Sequence, residues 1–175
     1  VTDEAISLHP YDPAWPARFE SEAAVLAEVL GPYVTGGIHH VGSTAIPGLS
    51  AKPIVDIMIG VTDLDSSRAC IEPLAGLDYC YAPYREDVMH WFCKPNPARR
   101  THHLHLVPTG SARFVDVLAF RDYLRAYPEA AERYEALKQR LAAEHAHDRN
   151  AYTDGKTDLV ATLTAEARRW VTAGT

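Results

Sequence analysis

The stretch His40-Val41-Gly42-Ser43-Thr44-Ala45-Ile46-Pro47-Gly48-Leu49-Ser50-Ala51-Lys52-Pro53-Ile54-Val55-Asp56-Ile57 runs from one apolar strand, through a glycine turn, into another. Ile38 to Val41 has the pattern of a short strand, and Gly42-Ser43-Thr44 follows it directly. Pro47 and Gly48 make Ala45 to Ala51 a loop or a broken helical turn. Pro53 to Val61 is almost wholly apolar, with the single charge of Asp56, which suits a strand buried on both faces. A Gly-Ser turn at the end of a strand leaves backbone N–H groups that can hold phosphate oxygens, with the Ser43 hydroxyl and the Lys52 ammonium nearby. An ionised Asp56 in an apolar strand is costly unless it is paired or meets a cation. Two readings follow: a divalent cation bridging Asp56 to phosphates on the turn, or a tight turn beside an acid bonded to backbone amides.

Outward from this stretch the pattern is helix, mixed sheet, then helices. Asp12-Pro13 can start a helix that carries Phe19, Ala23, Leu26 and Leu30 on one face and ends at Gly31-Pro32. Ser66 to Leu77 is predicted helical. Asp78 to Ala82, Val88 to Cys93 and His102 to Val107 are predicted strands, the last two joined by a turn over Lys94 to Arg100. Beyond Ser111 apolar residues recur at helical spacing: Val117, Phe120 and Leu124, then Ala130, Tyr134, Leu137 and Leu141 after Pro128, then Leu159, Leu163 and Ala167 in a final helix over 151–171. The order predicts one α/β (α+β) domain over residues 1–175, a mixed sheet flanked by helices with a C-terminal helical segment.

Composition narrows the function. A chain of 175 residues can bury a core without staples, and its three cysteines, Cys70, Cys80 and Cys93, have neither pairing nor C-x-x-C spacing. Free thiols in a reducing cytoplasm is the simplest reading. The net charge of −6 argues against a broad grip on nucleic acid, though local lysines and arginines can still hold a small anion. No apolar run is long enough to span a membrane, and Val1 to Pro10 lacks the pattern of a signal peptide.

Further polar residues are spaced for chemistry. His103 and His105 alternate on a predicted strand and so share a face. They can contact phosphate or move a proton, pack as hydrogen-bonded core residues, or join Asp56 as metal ligands. Arg121 and Arg125 are one turn apart, either a phosphate fork or a solvated face paired with Asp122 and Glu129. Tyr152 and Lys156 are also one turn apart, with Lys138 on the preceding helix; they are a nucleotide clamp or exposed lysines beside a packed ring.

The string from His40 to Ile57 resembles the signature of the GrpB family. The likeness extends through Tyr11-Asp12-Pro13-Ala14-Trp15-Pro16, His103-Leu104-His105-Leu106 and Phe120-Arg121-Asp122-Tyr123-Leu124-Arg125 to Tyr134, Lys138, Tyr152 and Lys156. The resemblance implies a nucleotidyltransferase-like fold, in a family that is fused to dephospho-CoA kinase in some bacteria. It implies that Gly42, Ser43, Thr44 and Lys52 hold a nucleoside triphosphate, ATP foremost, and that Asp56 holds Mg²⁺ or Mn²⁺. It favours the clamp, with Arg121, Lys138 and Lys156 facing the leaving pyrophosphate, Tyr152 beside them, and His103 or His105 acting on a small-molecule acceptor. The wider superfamily carries two acids one residue apart on the strand after the turn; here Met58 occupies the second position. An enzyme that transfers a nucleotidyl group, or ligates through an activated intermediate, is therefore expected. The alternative is a binding module for a nucleotide or a CoA-related metabolite.

Overall fold

The computed structural model describes residues 5–174. Helix α1, Trp15–Leu30, begins with Pro16 in its first turn and buries Trp15, Leu26 and Leu30. It leads to β1, Ile38–Val41, and after a single 3₁₀ turn over Ser43–Ala45 the chain enters β2, Val55–Val61. The predicted helix over 66–77 is shorter and broken: α2, Leu64–Ser67, is capped by the Asp63 carboxylate, a 3₁₀ turn spans Arg68–Cys70, and α3 is Ile71–Ala75. Pro73 accounts for the break, since it has no N–H to give and is tolerated only in the first turn of α3. Strands β3, Cys80–Ala82, β4, His90–Pro95, and β5, Arg100–Pro108, follow. The tail is α4, Ala112–Ala126, α5, Pro128–Glu144, α6, Arg149–Asp154, and α7, Thr157–Ala173.

The final helix is therefore two, not one. Gly155 marks the break, and a side chain there would meet the Leu141 Cδ2 methyl at 2.6 Å. The bare glycine lets the α6–α7 corner close onto α5.

The five strands form one mixed sheet in the order β1-β2-β5-β4-β3. Only β2 and β5 run parallel, with Asp56 opposite His103 and Met58 opposite His105. Strand alternation sorts the sheet into two faces. Ile57, Ile59, Leu104, Leu106 and Phe92 pack against α1 and α3 in the main core. The opposite face carries Asp56, Met58, His103 and His105; Met58 joins Val41, Val107 and Phe114 in a smaller core beneath α4. A third cluster, Ile46, Leu49, Leu124, Tyr134 and Leu163, ties the loop between β1 and β2 to α4, α5 and α7. Apolar packing thus covers one face and half of the other, and leaves the polar row of β2 and β5 facing the gap under the C-terminal helices. No helix among the described residues is long and apolar enough to cross a membrane.

Candidate functional site

Gly42 stands between β1 and the 3₁₀ turn with φ 72° and ψ −173°, a conformation open to glycine almost alone. A β-carbon there would collide with Asp56 Oδ2 and lie 3.0 Å from Asp56 Cβ and Cγ. The space a side chain would take belongs to the carboxylate, so turn and acid are built around each other.

The turn is held from behind. Arg121 Nη1 donates to the His40 carbonyl (3.1 Å) and Arg125 Nε donates to the Ala45 carbonyl (2.8 Å). The His40 ring shares a hydrogen bond with Thr44 Oγ1 (2.9 Å) and stacks on Phe19 at 4.9 Å between centroids. Burial, with Arg125 and Arg121 nearby, lowers the His40 pKa to about 4 against the pull of Asp56. His40 is therefore a neutral structural residue. Arg121, expected at the phosphates, instead braces the turn and pairs with Asp122 at 2.7 Å.

Asp56 Oδ1 accepts from His103 Nδ1 (2.9 Å), and His105 Nε2 lies 3.8 Å from the same oxygen. Burial alone would raise the Asp56 pKa, but the hydrogen bonds and charges of His103 and His105 hold it well below the usual carboxylate range. With Nδ1–H turned to Asp56, a neutral His103 carries its lone pair on Nε2. That atom is buried and has no hydrogen-bond partner among the described residues. His105 is placed differently, with Nδ1 3.4 Å from Met89 Sδ, and burial lowers its pKa despite the nearby charge of Asp56. The three-ligand metal reading fails on this geometry: no group of three His, Cys, Asp or Glu side chains among the described residues is arranged to hold an ion.

A cleft of about 740 Å³ opens over this row. Of the residues singled out in the sequence, Gly42, Ser43, Thr44, Lys52, Asp56, His103, His105, Lys138, Tyr152 and Lys156 line it, and Arg121 does not. Lys52 Nζ lies 4.6 Å and Lys156 Nζ 4.2 Å from the Tyr152 ring centroid, so one ring carries two ammonium groups. Burial lowers both lysines to about 8, Lys52 also under the charges of Arg149, Lys156 and Arg100, and Lys156 under that of Lys138 against the pull of Asp56. Lys138 plays another part: it is buried, donates to the Ser50 carbonyl, and pairs with Glu135 at 3.2 Å, which ties α5 to the loop. Glu135 also accepts from the Ser50 hydroxyl.

A profile of the GrpB protein family matches residues 5–166. The chain belongs to the GrpB family. It is 39% identical over 171 residues to a UPF0157 protein of Pseudomonas aeruginosa, covering 94% of this chain and 69% of that one. The crystal structure of the conserved protein GrpB from Enterococcus faecalis superposes with a TM-score of 0.84 at 30% identity, over 94% of this chain and 99% of that one. A dephospho-CoA kinase of Mycolicibacterium paratuberculosis is 29% identical over 176 residues, 84% of this chain and 42% of the kinase. This GrpB chain also brings Arg100, Arg149 and Trp91 to the cleft, none of which stands out in the sequence. Arg100 opens β5 and Arg149 opens α6; only the topology sets them beside Lys52.

Proposed function

We propose that the protein is a nucleoside triphosphate-dependent enzyme of nucleotidyltransferase type, with ATP the favoured donor and a small molecule the acceptor. The observation that carries this reading is the cation cluster of the larger cleft, where half-buried Lys52 lies under the charges of Arg149, Lys156 and Arg100, and half-buried Lys156 under that of Lys138. Cations held that close are stabilised by a multiply charged anion, and a triphosphate supplies one. The Gly42-Ser43-Thr44 turn would bind phosphate oxygens through backbone N–H groups. Lys52 and Lys156 would take up charge that develops on the leaving pyrophosphate, the main task in such transfers. His103, oriented by Asp56, would position the acceptor or, where the acceptor carries a proton, take it up on Nε2. A bound Mg²⁺ or Mn²⁺, with Asp56 as its protein ligand, would supply further charge neutralisation at the phosphates.

One observation favours a second reading, a module that binds nucleotide or a CoA-related metabolite without catalysis. Met58, where a second acid would complete a two-metal site, is buried in an apolar cluster.

Thermal unfolding with ATP, GTP, CTP and UTP, each with Mg²⁺, Mn²⁺ or EDTA, tests the proposal. A ligand at 100 times its Kd adds about 2.7 kcal/mol and should raise the midpoint by about 5–10 °C, and Lys156→Met should remove most of that rise. A rise with pyrophosphate release supports the enzyme; a rise without turnover supports the binding module. No rise with any nucleotide refutes the enzyme and leaves only a module for a CoA-related metabolite.

A further inference from the structure

A second cavity of about 490 Å³ adjoins the larger cleft, and the two share Gly42, Asp56 and His105 as a common wall. Its volume lies within the range of small-molecule sites. Val41, Met58, Val107, Val117, Phe120 and Val160 give it an apolar lining.

Three charged groups other than the shared wall line it. Asp116 is engaged by Arg168 through two bonds of 2.6 and 2.5 Å. Arg85 is exposed at the rim with φ 51°. Arg113, in the first turn of α4, lines the cavity, and its Nε is buried with no hydrogen-bond partner among the described residues. A buried guanidinium N–H left without an acceptor costs free energy that a ligand oxygen would recover. Asp56, the remaining carboxylate, already accepts from His103. Burial and the charge of Arg85 both disfavour the cationic form of Arg113, while Arg113 itself is close enough to influence His105. Arg113 lines the same cavity as the shared wall, and the charges of Asp116 and Asp56 favour its cationic form.

We propose that this second cavity is the acceptor site and that it takes a small carboxylic acid with an apolar body. Arg113 holds the carboxylate at the Asp56–His105 wall, where the two cavities meet, and the hydrocarbon part fills the space toward Val117, Phe120 and Val160. The planar fork of a guanidinium matches a carboxylate, and the apolar lining selects against inorganic phosphate, which would leave it unfilled. The word acceptor rests on the nucleotide reading of the larger cleft; the carboxylate site itself does not.

Isothermal titration of the intact chain with butanoate, hexanoate and 3-phenylpropanoate, against hexan-1-ol and hexylamine, tests this without nucleotide. At least one carboxylate should bind, and at least tenfold tighter than the alcohol and the amine. Arg113→Gln should weaken it at least tenfold, and so should Val117→Trp, which fills the cavity and leaves the arginine in place. Far-UV circular dichroism and a cooperative thermal transition like the parent's report that each variant keeps the fold. Failure of all three carboxylates, equal binding of the alcohol, or carboxylate binding untouched by either variant overturns the proposal. Carboxylate binding without any nucleotide response leaves this site standing and removes the donor reading. The reverse pattern removes this site alone.

Discussion

His40 should make stability depend on pH over a defined window, and His40→Gln should remove that dependence. In the unfolded chain the imidazole titrates near its ordinary value of 6.5; in the fold its pKa is about 4, because burial beside Arg125 and Arg121 penalises the charged form. The native state therefore favours neutral His40. Its contribution is complete above pH 6.5 and is lost as pH falls toward 4, because the unfolded chain takes up a proton that the native chain refuses. A shift of about 2.5 units corresponds to about 3 kcal/mol at full extent and about 2 kcal/mol at pH 5. The glutamine variant should be less stable at pH 7.5 by about 1 kcal/mol, having lost the stack on Phe19. Its urea-unfolding free energy should then fall by about 2 kcal/mol less than that of the parent between pH 7.5 and 5. Other carboxylates and histidines titrate in both proteins and cancel in the difference. Parallel stability curves would refute the reasoning and mean that the buried ring accepts its proton at the ordinary pH.

Gly42→Ala should lower stability by about 1–3 kcal/mol through backbone strain, and should abolish nucleotide-induced stabilisation because the new methyl displaces the Asp56 carboxylate; a thermal scan with and without ATP reads both, and a variant with parental stability and response would show that the turn relaxes freely. His103→Asn should lower pyrophosphate release by about 10²–10⁴-fold with the nucleotide Kd changed less than threefold; turnover within tenfold of the parent would remove His103 from the chemistry.

Local patterns carried most of the fold. Helix α1 and strands β1 and β2 follow from periodicity and turn residues at their ends, and all three agree with prediction to within two residues at each end. The two breaks, at Pro73 and Gly155, each depend on where a neighbouring element lies or on how little of a helix remains once a proline is accommodated. The site was legible as composition but not as pairing. That His103 and His105 share a face follows from alternation; that they face Asp56 requires the parallel register of β2 and β5, between residues 47 apart in sequence. Likewise the i, i+4 spacing of Arg121 and Arg125 marks a common target, and only the packing of α4 makes that target the carbonyls of His40 and Ala45. Lys52 and Lys156 meet across Tyr152 from opposite ends of the chain, an encounter no local signal announces.

The grip of α4 on the glycine turn has a mechanical consequence. Arg113 and Val117 stand in the first half of the helix, against the smaller cavity; Arg121 and Arg125 stand in the second half and hold, from behind, the glycine turn that lines the larger one. The span from Arg113 to Arg125 is about 18 Å of straight helix. A rigid rod fixed to both chambers cannot shift for one occupant without being felt by the other. Whatever free energy the first guest contributes to setting that rod, the second receives, and the exchange is equal in either order of arrival.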